Sequence, residues 1–278
     1  MSSPIAVEKM AVPEAEDLRS LVEPFGFEER FDSAGFHRWF RARWWWSAVF
    51  SAAYVLLVFG GRSLMRHREP FRLRLPLVLW NTGLAVFSIL GALRTNVTLA
   101  HIILQKGFLF SVCKPLLLTG PVTGFWAAAY SISKVRTRTP SVRYCFRISV
   151  VCLCAYVPVS VCVFHRYAYS KLAGPVEYFV AMNYTVHAVM YSYFAVRAAG
   201  YRLPRKLSMA ITVLQSSQMV GGLLIGGYAH LTYQSGEACH WSDFASLLCV
   251  AMYGSYLVLF LHFFAKSYVS KTPRPKKD

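Results

Sequence analysis

The sequence predicts an all-α, polytopic membrane protein with seven transmembrane helices. Of its 278 residues 55% are hydrophobic, and the mean hydropathy is +0.39. A soluble domain of this length is less apolar and more charged. Eight of the thirteen acidic residues fall in the first 32 positions, so between 33 and 277 only Glu69, Glu177, Glu237 and Asp243 remain. The net charge of +17 comes from Lys and Arg in short clusters between apolar segments. That is the distribution of membrane loops rather than of a nucleic-acid-binding face.

Residues 1–40 form a polar, acidic segment with no basic stretch leading into an apolar core, so no cleavable signal peptide is expected. Near its end, "FHRWFRARWWW" mixes aromatics and arginines as membrane interfaces do. A spanning helix needs about 20 apolar residues. The candidate spans are 46–61, 75–93, 108–132, 146–164, 176–199, 209–233 and 243–265. Pro115, Gly120, Pro121 and Gly124 interrupt the third, which is expected to be broken or partly re-entrant. The fourth carries Pro158 and many β-branched residues, which lipid still permits as helix. Residues 41–268 thus read as one seven-span domain and 269–278 as a basic tail. No internal repeat is evident.

Basic residues alternate between connections. Arg62, Arg66, Arg68, Arg72 and Arg74 fall in the first, Lys134, Arg136, Arg138, Arg143 and Arg147 in the third, and Arg197, Arg202, Arg205 and Lys206 in the fifth. The tail adds Lys266, Lys271, Arg274, Lys276 and Lys277, whereas the even connections hold only Arg94, Lys106, Arg166 and Lys171. The positive-inside rule places the odd connections and the C-terminus in the cytosol and the N-terminus in the lumen, which an odd number of spans requires. The sequon "NVT" at 96–98 then faces the lumen, close to the membrane. "RPKKD" loosely matches a basic retrieval tail. The seven cysteines, 113, 145, 152, 154, 162, 239 and 249, lie mostly in apolar segments without a metal-ligand spacing. They read as small buried residues with neither a disulfide nor a metal role.

Polar residues inside the spans are the functional candidates, because they are costly in lipid and face the bundle interior. Asn183, His187 and Tyr191 are spaced four apart and share one helix face, with Ser192 and Tyr193 adding hydroxyls. Thr212, Gln215 and Gln218 recur every third residue on the sixth span. Facing one another, the two stripes would make a polar pocket; packed apart, they would be ordinary interhelical hydrogen bonding. A neutral imidazole is a nucleophile or base near neutral pH, and with no carboxylate nearby it would work with amides and hydroxyls. His101 in a connector, His165 after the fourth span, His230 near a span end and His262 in the last span read as packed or interfacial residues.

"NYTVHAVMYSYFAVRAAG" resembles the Asn-x3-His-x2-Met-Tyr-x-Tyr box of the ELO family of very-long-chain fatty-acid elongases. "RLPLVLWNTGLAVFSILGALR" is similar to that family's second-span signature, and "GPVTGFWAAAYSISK" to the stretch leading to its conserved Lys, here Lys134. "TVLQSSQM" matches its Thr-x2-Gln-x2-Gln pattern, and "YGSYLVLFLHFFAKSY" its last span. "FGGRSLM" and "LAVFSILGALR" point to the subgroup acting on saturated and monounsaturated chains.

The resemblance implies a 3-ketoacyl-CoA synthase of the endoplasmic reticulum. Such an enzyme condenses acyl-CoA with malonyl-CoA, releasing CO2 and CoA, inside a seven-span bundle around an acyl tunnel. His187 and Asn183 would be catalytic, and Tyr191, Tyr193, Thr212, Gln215 and Gln218 would line the substrate. Lys134, Arg202, Arg205 and Lys206 would meet the CoA phosphates at the cytosolic mouth. No cofactor or metal is implied. The partners are acyl-CoA, malonyl-CoA and membrane lipid, with other elongation-cycle enzymes or a second copy as further partners, and no nucleic acid.

The family's His-x2-His-His box and its Glu-Leu-x-Asp-Thr stretch do not occur here. Similarity stops near Val135 and returns around "SVCVFHRYAYS". A frame-shifted or degenerate segment would explain a near-normal length with altered residues; so would a homologue that kept the fold and lost the site. Either reading predicts little condensing activity, and the alternative function is an inactive homologue that binds acyl-CoA or partners with active elongases. A seven-span receptor would share the topology, but its Asp-Arg-Tyr-like and Asn-Pro-x2-Tyr motifs are missing. A transporter would show matched halves, and none are seen.

Overall fold

The computed structural model describes residues 22–43, 74–115, 120–136 and 163–269, with scattered positions between 46 and 63. No strand occurs among them. Two short helices, α1 (Gly26–Glu29) and α2 (Ser33–Ala42), precede the bundle. Asp32 caps α2 by accepting from the Gly35 N–H at 2.7 Å. The bundle comprises α3 (Arg74–Lys106), α4 (Phe108–Cys113), α5 (Pro121–Arg136), a helical stretch at 163–170, α6 (Val176–Ala198), α7 (Arg205–Gln234) and α8 (Asp243–Val269). Within α8, π-helical turns occupy Val250–Gly254 and Ala265–Val269.

Among the described residues three helices are long and apolar enough to cross a membrane: α3, α7 and α8. α6 has 23 residues but is less uniformly apolar, because Asn183, His187 and four tyrosines lie along it. The second, fifth, sixth and seventh expected spans therefore correspond to real helices. The third is broken, as its prolines and glycines dictate. α4 ends at Cys113, and α5 restarts at Pro121, where a missing N–H costs a helix nothing. The fourth span, 146–164, lies almost wholly outside the described residues, as do the tail and residues 1–21. The first span, 46–61, is represented by helical positions at 46, 49, 52, 53, 56, 59 and 60.

α3 shows how the bundle suits lipid. Its buried positions are mostly small or hydroxylated: Ala85, Ser88, Gly91, Thr95 and Thr98. Its exposed positions are large and apolar, including Val86, Leu90, Leu93 and Val97. A water-soluble helix has the reverse pattern. In lipid, apolar side chains gain nothing by hiding, and close backbone approach decides which face packs. α6 makes its most extensive contacts with α3. At Gly91 the Tyr184 ring occupies the side-chain space, so an added Cβ would stand 2.6 Å from its Cδ1. Thr95 and Thr98 return their hydroxyls to carbonyls four residues back, satisfying themselves within the helix.

α3 runs on through Arg94 and His101 to Lys106 and stops at Gly107, whose φ of +85° is the left-handed conformation glycine tolerates. Arg94, Lys106 and His101, expected in a connector, are thus helical. Arg94 is pulled inward by Glu28, its Nε donating to Oε1 at 3.0 Å. Glu28 is fully buried and also accepts from Trp126 Nε1 at 2.6 Å and from the Phe25 N–H at 2.8 Å. Those bonds pin the N-terminal segment to α3 and α5. Nearby, Arg166 donates to the Phe40 and Arg43 carbonyls, with its guanidinium 4.1 Å from the Phe40 ring centroid.

The cysteine expectation is corrected at this end. Cys113 and Cys239 form a disulfide across 126 residues. Sequence spacing gave no sign of it, because the pairing is set by the three connections that meet here. The Cys113 carbonyl accepts from the His240 N–H at 2.9 Å, and the His240 carbonyl accepts from the Gly174 N–H at 2.9 Å. Only glycine fits at 174, since a Cβ would stand 2.3 Å from the Val112 carbonyl oxygen. Cys249 is free and buried, as expected, and Cys145, Cys152, Cys154 and Cys162 lie outside the described residues.

Candidate functional site

The opposite end of the bundle is basic. Arg74, at the start of α3, donates to the Ala198 and Ala199 carbonyls at the end of α6. Arg205, at the start of α7, donates to the Ser267 carbonyl in the last turn of α8 at 2.6 Å and lies 5.5 Å from the Tyr268 ring centroid. Arg202 and Lys206 are exposed beside it. α5 also ends on this side, at Arg136; the backbone of Lys134 belongs to its last turn, and its side chain is outside the described set.

Between the two ends, α6 carries its polar stripe. Eleven residues separate His187 from either end of this helix, about 16 Å of rise each way. Asn183, His187 and Tyr191 open onto one narrow cleft, together with Leu84, Phe87 and Ser88 of α3 and Tyr130 and Ser133 of α5. The cleft thus has three helical walls, and Tyr184 forms part of its floor. Tyr191 stands edge-on to the imidazole, with centroids 5.2 Å apart. Tyr184 is held by its own hydroxyl, which donates to the Trp126 carbonyl at 3.0 Å. Trp126 is in turn held by Glu28, so the floor is keyed to the buried ion pair.

The two polar stripes do not meet in this cleft. None of its lining residues comes from α7. Thr212 bonds back to the Ser208 carbonyl at 3.1 Å, and Gln218 is buried. Gln215 reaches α6, but its amide points to the Met190 sulfur at 3.2 Å, nearly one turn past His187. Tyr193 is buried on another face, where Arg197 donates to its hydroxyl at 3.0 Å. Helical period alone put these groups on common faces; it could not say which neighbour each face would meet.

Three contributors escaped the sequence reading. Tyr130 and Ser133 sit one turn apart in "AAAYSISK", just before Lys134, so the spacing was there to be read. His165 gave no local signal. It is buried, and its Nε2 lies 2.9 Å from the Tyr130 hydroxyl, with ring centroids 4.5 Å apart.

Chemically, the cleft offers an imidazole, a carboxamide and several hydroxyls in an apolar shell, with no carboxylate among its lining residues. Such a set can hold a polar, uncharged carbonyl compound and supply a nitrogen nucleophile beside it. No cluster of His, Cys, Asp and Glu suited to a metal occurs among the described residues.

Residues 39–276 match the family described as ELO: GNS1/SUR4 family. The chain is 40% identical to the human protein named very long chain fatty acid elongase 6, over 92% of this chain and 97% of that protein. It is 37% identical to the Drosophila melanogaster protein of the same name, over 88% of this chain and 79% of the relative. It is 32% identical to mouse very long chain fatty acid elongase 3, over 92% of each.

Proposed function

The chain belongs to the ELO family, and we propose that it is an elongase that condenses a long-chain acyl-CoA with malonyl-CoA to give 3-oxoacyl-CoA, CO2 and CoA. Relatives named fatty acid elongases align over nearly its whole length, which favours this reading over an inactive homologue. The observation that carries the chemistry is the cleft that gathers Asn183, His187, Tyr191, Tyr130 and Ser133 midway along α6.

In the proposed reaction the His187 imidazole attacks the thioester carbonyl carbon. The C–S bond breaks and CoA leaves as its thiolate, giving an N-acyl-imidazolium whose other ring nitrogen keeps its proton. Malonyl-CoA then loses CO2 and becomes an enolate, which attacks the acyl carbon. The C–N bond breaks, 3-oxoacyl-CoA departs and the imidazole is restored. Asn183 would donate to the carbonyl oxygen as charge develops there. Arg202, Arg205 and Lys206, with Lys134, would receive the CoA phosphates at the basic end. Thr212, Gln215, Gln218 and Tyr193 would line the path beyond the cleft.

The proposed setting is the endoplasmic-reticulum membrane, with seven spans around an acyl tunnel, the C-terminus cytosolic and the N-terminus lumenal. Two independent features support that orientation. The basic end suits the cytosolic side. The disulfide at the other end suits an oxidising compartment, and thiols stay reduced in the cytosol. The proposed partners are acyl-CoA, malonyl-CoA, membrane lipid and other enzymes of the elongation cycle.

The test uses the full chain in detergent with palmitoyl-CoA and labelled malonyl-CoA. Label should appear in a 3-oxoacyl product extended by two carbons, and an acyl adduct should be found on His187 by mass spectrometry. His187→Ala should abolish both. Turnover that survives His187→Ala would exclude the acyl-imidazole route.

A further inference from the structure

Behind the cleft wall lies a second imidazole. Tyr130, on α5, lines the cleft that contains His187. Its hydroxyl is 2.9 Å from His165 Nε2. Both residues are almost wholly buried, at 2% and 3% exposure. Their placement is fixed from several sides. Tyr130 stacks edge-on against Tyr184 with centroids 5.5 Å apart, and His165 against Phe164 at 5.7 Å.

Which atom donates in this bond depends on the imidazole tautomer. With the proton on Nδ1, the phenol donates to Nε2 and is spent. With the proton on Nε2, the imidazole donates to the phenol oxygen, and the phenol O–H turns to another acceptor. A phenol that accepts such a bond is also polarised into a stronger donor. A carbonyl held in the cleft that Tyr130 lines would be such an acceptor.

We propose that His165 is a positioning residue that donates to the Tyr130 oxygen, so that the Tyr130 hydroxyl bonds the thioester carbonyl held beside His187. The contribution is electrostatic: as the carbonyl carbon is attacked, its oxygen gains negative charge, and a donor fixed in advance stabilises that charge. No proton changes owner in this step. The inference rests on the condensation proposed above. It differs from a packing role, in which the two rings would only fill space between α5 and the stretch at 163–170.

The experiment compares purified Tyr130→Phe, His165→Ala, His165→Gln and the double variant Tyr130→Phe/His165→Ala with the unmodified chain. Steady-state condensation is measured in detergent, and thermal unfolding is followed alongside. Tyr130→Phe keeps the ring and should lower kcat about a hundredfold, with KM for acyl-CoA unchanged within twofold. His165→Ala should cost about tenfold or more in kcat. The double variant should be no worse than Tyr130→Phe, because the two act as one unit. His165→Gln, whose amide N–H can replace Nε2–H, should recover most of the loss. An active chain whose kcat is indifferent to Tyr130→Phe overturns this inference alone. So do multiplying losses in the double variant, or a His165→Gln no better than His165→Ala at equal thermal stability. An unmodified chain with no turnover overturns the condensation and this inference with it.

Discussion

Glu28 is fully buried, and its carboxylate faces the Arg94 guanidinium. Arg94, Trp126 and the Phe25 N–H account for its lone pairs, so the burial is balanced by hydrogen bonds as well as by charge. Glu28→Ala would leave Arg94 without its partner and Trp126 without its acceptor. A loss of about 3 kcal/mol is expected, measured as a fall in the thermal unfolding temperature of the purified chain. The imidazoles at this end add a pH dependence. Burial holds His37 below its ordinary value of 6.5, helped by Arg41 and opposed by the Ser170 carbonyl; burial and then Lys114 do the same to His240. Between that ordinary value and the lower folded value, the unfolded chain binds more protons. Stability contributed by these residues is therefore complete above about pH 6.5 and is lost as pH falls below it. Unfolding temperatures measured from pH 8 down to pH 5 should show the fall, and His37→Gln should flatten it.

The polar stripe of α6 was legible at the scale of elements because a helix converts a spacing of four into a shared face, and Asn183, His187 and Tyr191 do open onto one cleft. The break in the third span was legible too, since Pro115 and Pro121 constrain the backbone locally. What the chain hid were partnerships across distance. Gln215 lies on a stripe that the sequence left free to face His187 or to pack apart, and it meets Met190, because face-sharing within a helix says nothing of rotation against a neighbour. Tyr130 with His165 is a pairing 35 residues apart, and Cys113 with Cys239 one of 126. The disulfide ties α4 to the connection between α7 and α8. Closing so long a loop is worth about 2–5 kcal/mol in small domains. Cys113→Ser/Cys239→Ser should lower the unfolding temperature and speed proteolysis in the 235–242 connection, read by limited digestion. An unchanged digestion pattern would assign the staple no mechanical role.

As a whole the bundle has two unlike ends. One gathers the disulfide, the Glu28–Arg94 pair and the N-terminal helices; the other gathers Arg74, Arg202, Arg205 and Lys206. The cleft lies between them, so a substrate whose charged head stays at the basic end can send only its uncharged chain inward. α3 also has a length that measures the membrane. It is 33 residues, about 50 Å, against an apolar core of about 30 Å. Arg74 and Arg94 are twenty residues apart along it, which is again about 30 Å. The two guanidinium groups therefore bracket one hydrocarbon thickness. In a sterol-rich bilayer of about 32–33 Å, one of them would be drawn toward the acyl chains; in an endoplasmic-reticulum bilayer of about 27 Å, neither is. By hydrophobic mismatch this spacing would suit the thinner bilayer better than the thicker one, by fractions of a kcal/mol for each ångström.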